Sequence, residues 1–265
     1  MKIAITFPIY VTNEDHIYFT TQTLESIQTK HEVEIYVVEN YIKPEFRQEV
    51  DNIIKQFNAT LITNNLGNNV ANAWNIGIQT AFSNSIEYVL VPNNDIVMHP
   101  QCIDNLVKFM QGTEDKFLLW TALEHSSLRT LKTLELTDNH DNHPGFSFFA
   151  VTKSSLEKLK EKEAGTSEPQ PGLFDPNYIA AYFEDGDMAC RILKAGYEAG
   201  KTASARYYHF GSRTIKVDER LNQKNATTYE NNRNYFIKKW GIDTHGVATS
   251  NDDLINKTYK TPFNK

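Results

Sequence analysis

Only two cysteines, Cys102 and Cys190, occur in the 265 residues, so no disulfide framework is implied and a reducing compartment is expected. No apolar run approaches the roughly 20 residues of a membrane span. Met1 to Thr6 runs straight into an apolar strand without a basic and apolar leader, which predicts a cytoplasmic location. No Gly-x-Gly-x-x-Gly follows a predicted strand, and Walker A is absent. A dehydrogenase or P-loop reading therefore loses its main support. Positive charge is also in the minority: the net charge is −6, which argues against broad polyanion binding. The shortage is uneven, because Arg206 to Lys265 carries 11 Lys and Arg against 6 Asp and Glu. Such a tail suits either a phosphate-bearing acceptor or a solvated helical surface.

What is present is enough for a core. Hydrophobic residues make up 40% and aromatics 12%, which fits one large α/β domain with a small appendage. Apolar runs at 2–8, 33–38, 59–63 and 86–91 read as strands. Helical spacing separates them at 16–30, from Pro44 to Phe57, and at 70–82. Four strands alternating with three helices predict a right-handed, mostly parallel sheet. Polar residues close every strand: Tyr10, Glu39-Asn40, Asn65 and Asn93-Asn94-Asp95. Open α/β sheets bind ligands beyond the carboxyl ends of their strands, where all of these would fall. Asp95, with the Asn93 amide nearby, offers oxygen to a hard divalent cation; an ordinary Asx-turn explains the same residues without one.

The second half is less regular. Strands are expected at 117–123 and 145–151, and a charged helix at 154–162. The turn-forming run 164–172 is a candidate lid. Glu184, Asp185 and Asp187 put three carboxylates in four residues beside Tyr182-Phe183, at the start of a helix that Gly196 ends. Helix capping accounts for such acids as readily as chemistry does. A strand through 206–208 delivers His209 to the same sheet edge as Asp95, and a last amphipathic helix spans 226–240.

Taken together, Phe7-Pro8-Ile9-Tyr10, Val37-Val38-Glu39-Asn40, Asn65-Leu66-Gly67 through Asn75-Ile76-Gly77, Pro92-Asn93-Asn94-Asp95 and the run from Phe174 through Glu184-Asp185 to Tyr197 occur in a recognisable order. With His209 to Ser212 as a sixth segment, the chain resembles the family-2 type of inverting, nucleotide-sugar-dependent glycosyltransferases, especially rhamnosyltransferase-like members. The resemblance implies the GT-A fold: a mostly parallel central sheet flanked by helices over 1–215, with a nucleotide-binding half (about 1–98) and an acceptor half (about 99–215). A helical extension and polar tail would occupy 216–265.

By position, the resemblance implies donor contacts from Pro8, Tyr10, Glu39, Asn65, Asn75, Asn93, Asn94 and Arg213. Asp95 and His209 become ligands of Mn²⁺ or Mg²⁺, and Asp185 the general base, with Glu184 and Asp187 as alternatives. Glu39 stands where the family usually has Asp, and Asn93 replaces the first acid of the common Asp-x-Asp. The implied reaction is a metal-assisted single displacement with inversion, from a UDP, dTDP or GDP sugar to a glycan, lipid-linked or polymer acceptor; a modified nucleic acid ranks below these. Two other classes share parts of the pattern. A nucleotidyltransferase would place a basic glycine-rich loop after the first strand, where this chain has the acidic Val11-Thr12-Asn13-Glu14-Asp15. A non-catalytic sugar-nucleotide-binding protein would bind donor and consume none.

Overall fold

Strand β1 (Lys2–Val11) is the hub, because its apolar residues are buried on both faces of the sheet. In the computed structural model, described over residues 1–67, 69–141, 144–211 and 219–241, β1 pairs in parallel with β2 (Glu32–Ile42) on one side and β4 (Tyr88–Pro92) on the other. β3 (Thr60–Thr63) adds to β2, also in parallel. Helix α1 (Glu14–Glu25) follows β1, α2 (Arg47–Gln56) follows β2, and α3 (Val70–Ser83) follows β3. The chain therefore moves outward through β2 and β3 and returns to β4 on the opposite side of β1. That reversal is a topological switch point, where open α/β sheets form their crevice. β1 and β4 stay paired only from Ile3 to Ile5, and past Ile5 they part. Pro8 sits in the stretch that has parted from β4.

The four parallel strands match the sequence expectation, but the remainder of the sheet is mixed. The order is β3-β2-β1-β4-β8-β6-β9-β5, with β7 (His140–Asp141) on β9. β8 (Phe148–Thr152) runs antiparallel to both β4 and β6 (Phe117–Glu124). β9 (Glu198–His209) is parallel to β6 and antiparallel to β5 (Ile96–Met98). No helix crosses between β4 and β8 in the manner of a βαβ unit, so nothing forces those strands to be parallel. Helix α4 (Cys102–Gly112) packs on β9 and buries Ile103, Leu106, Val107 and Met110. It is followed by the single turn α5 (Leu128–Leu131), then α6 (Lys153–Lys162), α7 (Glu184–Lys194) and α8 (Glu219–Trp240). α1 stops at Ser26, short of the predicted residue 30, because the Ser26 hydroxyl and N–H both turn back onto carbonyls of the last turn.

Helix α3 approaches β1 closely. A Cβ on Gly77 would lie 1.9 Å from the Thr6 hydroxyl oxygen, and Thr6 is fully buried. Glycine is thus the residue that lets α3 bring its first turn over the parted end of β1. The segment 164–172, expected as a lid, is instead tied down under α7. The Gly172 N–H donates to Glu163 (2.7 Å), and the buried Glu168 faces Arg191 and Lys239. Among the described residues no helix is long and apolar enough to cross a membrane.

Candidate active site

One cleft of about 290 Å³ opens at the switch point. Its floor comes from Pro8 to Tyr10 of β1 and from Asn93-Asn94-Asp95, the turn joining β4 to β5. The sheet brings His209 beside that turn: β5 pairs with β9 so that Ile96 lies opposite His209, and the Phe210 N–H donates to the Asp95 carbonyl (3.0 Å). The His209 Nε2 then lies 3.0 Å from Asp95 Oδ1, and its Nδ1 lies 3.8 Å from Glu124. Strand register alone therefore assembles a carboxylate–imidazole pair from residues 114 positions apart.

The wall is formed by 180–182 and the start of α7. Ala180, Tyr182 and Phe183 all have positive φ (57°, 80° and 75°). Left-handed conformations at non-glycine residues cost about 1–3 kcal/mol each and persist where surrounding contacts impose them. They turn the chain so that Glu184 and Asp185 both face the cleft. Burial pushes the Asp185 carboxyl up to about 6, although the Gly186 N–H donates to it at 2.7 Å. Burial, then the neighbouring Asp185 charge, raises Glu184 further. Both carboxyls are therefore held above the usual carboxylate range and titrate as a pair. Glu184 Oε2 and the indole N–H of Trp74 are both buried cleft groups without a hydrogen-bond partner among the described residues. A ligand rich in hydroxyls could satisfy both.

The lining carries the carboxylates of Asp95, Glu184 and Asp185 and, among the described residues, no Lys or Arg. Among the described residues, then, a bound cation is what would offset the charge of a diphosphate there. Asp95, His209 and the Asn93 and Asn94 amides form a donor set that suits Mn²⁺ or Mg²⁺, with the remaining positions left to phosphate and water. A second acidic group, Glu168, Asp175 and Asp187, does not fit a metal. The Lys239 ammonium already lies 2.7–2.9 Å from each of its three carboxylates.

Pro8, Tyr10, Asn93, Asn94, Asp95, Glu184, Asp185 and His209 are thus brought together as the sequence suggested. Others are not. Asp187, an alternative for the general base, is fully buried and bound by Lys239, by the Trp240 N–H (2.8 Å) and by the Tyr178 hydroxyl. Asn75 spends its amide on both the N–H and C=O of Phe174. Asn65 is exposed on the loop before α3, and Glu39 is held bidentately by Arg47 while Asn40 lines the cleft in its place. Arg213, Ser212 and the polar tail lie outside the described residues. Three contributors went unrecognised in the sequence: Trp74, Asn69 and Asn232. Asn69 caps α3 and its Nδ2 donates to the carbonyls of Pro176 and Tyr178, which anchors the wall segment.

Residues 7–164 match the family model described as glycosyl transferase family 2. Solved structures with a similar fold include GalNAc-T7 with UDP, GalNAc and Mn²⁺ (13% identity, TM-score 0.59, covering 78% of this chain and 43% of that one). TarS 1–349 of S. aureus in complex with UDP is also similar (16% identity, TM-score 0.52, covering 78% and 60%). The chain therefore spans less than two thirds of either protein. No curated protein matches the sequence.

Proposed function

Since the chain belongs to glycosyl transferase family 2, with the GT-A fold, we propose that its cleft binds a nucleoside-diphosphate sugar and transfers the sugar to an acceptor hydroxyl with inversion. One observation carries the reading: Asp95–His209 and Glu184–Asp185 line a single cleft that, among the described residues, carries no Lys or Arg. UDP is present in both similar structures and Mn²⁺ in one, and we carry both over as the expected ligands. The donor half, about 1–98, supplies Pro8, Tyr10 and the 93–95 turn. The acceptor half, about 99–215, supplies Glu184 and Asp185, and α8 follows it.

Departure of a nucleoside diphosphate leaves negative charge on its oxygen. A divalent cation bound by Asp95 and His209 would supply the Lewis acidity that neutralises it. The chain's own residues do the rest. Tyr10 and Pro8 border the donor end, and the Glu184 carboxyl and Trp74 N–H offer hydrogen bonds to sugar hydroxyls. Asp185 accepts the proton of the attacking hydroxyl. A carboxyl held near 6 is ionised at pH 7 yet more basic than a solvated one, which suits that work.

A panel of UDP, dTDP and GDP sugars incubated with the chain and Mn²⁺ tests this. Release of nucleoside diphosphate from one of them is expected, with a rate that rises as pH passes through about 6, because Asp185 must lose its proton to act. Formation of nucleoside triphosphate and sugar 1-phosphate when pyrophosphate is added would instead indicate a nucleotidyltransferase. Tight binding without any release would indicate a non-catalytic binder.

A further inference from the structure

We propose that Asn232, on the C-terminal helix α8, is a positioning residue that holds the turn presenting Glu184 and Asp185 to the cleft; this rests on the donor-site reading above. Asn232 is 1% exposed. Its Nδ2 donates to the carbonyls of Ile179 (2.9 Å), Ala181 (2.9 Å) and Tyr182 (3.1 Å), and its Oδ1 accepts from the Ile179 N–H (2.9 Å). One side chain thus reaches four backbone groups, its two amide hydrogens shared among three carbonyls, in a segment that has no helix of its own. Among the described residues it makes one isolated β-bridge, Ala180 with Asn69, in which the Val70 N–H donates to the Ala180 carbonyl (2.8 Å).

That segment is the strained one, and Ala180, Ala181 and Tyr182 all line the cleft. Asn69 grips it from α3 and Asn232 grips it from α8. The neighbours of Asn232 on the same helix face reinforce the grip. Tyr229 packs on Tyr182 and Phe183, Phe236 packs on Phe183, and Lys239 and Trp240 bind Asp187 one turn into α7. The spacing 229, 232, 236, 239 is that of one helical stripe. All of it lies beyond the 7–164 region that matches the family model.

Position is what a general base depends on. It must come within roughly 2.6–3.2 Å of the proton it takes, and a displacement of about 1 Å can cost about 100-fold in rate. Without the amide of Asn232, the positive-φ residues are free to relax and carry Asp185 with them.

The test uses the full chain, with calorimetric titration of UDP and Mn²⁺ to count competent sites. The rate measured is hydrolysis of whichever UDP-sugar the wild type turns over fastest. For Asn232→Ala, kcat per UDP-binding site should fall by about tenfold or more, while the donor KM stays within about threefold. Val50→Ala, in the buried face of α2 and away from the cleft, serves as a destabilised control and should keep its kcat per site. Asn232→Ser retains one hydroxyl and should fall between wild type and Ala; it supplies the answer where the Ala variant does not fold. Unchanged kcat per site in the Asn232 variants, or an equal loss in Val50→Ala, overturns the positioning role. Full hydrolysis by Asp185→Asn would show instead that the base itself is misassigned, and the proposal falls with it.

Discussion

Asp185→Asn is expected to lower the rate of sugar transfer by about 10²–10⁴-fold, the usual contribution of general-base assistance, while UDP–Mn²⁺ affinity stays close to that of the wild type. The amide keeps the shape of the carboxylate and its contact with the Gly186 N–H, so the cleft should survive the change. What disappears is the lone acceptor that can take a proton from the incoming hydroxyl. Glu184→Gln is the informative neighbour. Its carboxyl is raised by burial and by Asp185, so it carries the proton rather than accepting one, and an amide preserves its hydrogen-bonding role. A milder loss is therefore expected there, expressed in donor KM. Asp187→Asn should act through stability, because its carboxylate belongs to the Lys239 network and not to the cleft. Steady-state assays of the three variants over a range of donor concentrations, with thermal unfolding of Asp187→Asn, separate these outcomes. A fast Asp185→Asn beside a dead Glu184→Gln would transfer the role to Glu184.

The largest loss of stability is expected from Arg191→Met. Arg191 is fully buried in α7, where its Nε and Nη2 donate to Glu163 (2.6 and 2.7 Å) and its Nη1 donates to the Leu173 carbonyl (2.5 Å). Glu168 (3.5 Å) and Asp187 (3.7 Å) lie nearby. With Asp175, four buried carboxylates thus share two cations, Arg191 and Lys239. Burial, then the Asp187 charge, already holds the Glu168 carboxyl above its usual range. Removing one partner of a buried pair costs about 3–5 kcal/mol, because the other is left charged and unsolvated. At about 2–4 °C per kcal/mol for a chain near this size, Tm should fall by roughly ten degrees. Thermal unfolding followed by circular dichroism measures it. Adding Glu163→Gln should recover part of the loss, since the orphaned charge then disappears. A single variant as stable as the wild type would mean that the network contributes nothing net.

Legibility in the sequence tracked the range of the interaction. β1 to β4 and α1 to α3 could be read because each element's periodicity is local and each strand ends in polar residues. Helix α4 carries an equally clear spacing in Ile103, Leu106, Val107 and Met110, yet it has no counterpart among the predicted elements. The antiparallel placement of β8 and β5 could not be read, because pairing across a long irregular connection leaves no trace in periodicity. In the site, Asp95 and His209 were legible as strand ends. The mutual position of Asp185 and Asp187 was not, although helix phase holds a clue. Asp187 and Arg191 are four residues apart on one face, and Asp185 lies about 200° away from Asp187 around the helix. Asn232 left no signal, and Asn69 only that of a helix cap, since an amide that ties down remote backbone looks in sequence like any other polar residue.

The central claim, that this cleft is a metal-assisted nucleotide-sugar site, is tested most directly by calorimetric titration of UDP into the wild type and Asp95→Ala, each with and without Mn²⁺. The expected result is binding by the wild type that requires Mn²⁺ and is lost, by about tenfold or more in affinity, in the variant, at a cost of about 1.4 kcal/mol or more. UDP binding of equal strength in all four titrations, or none in any of them, would contradict it.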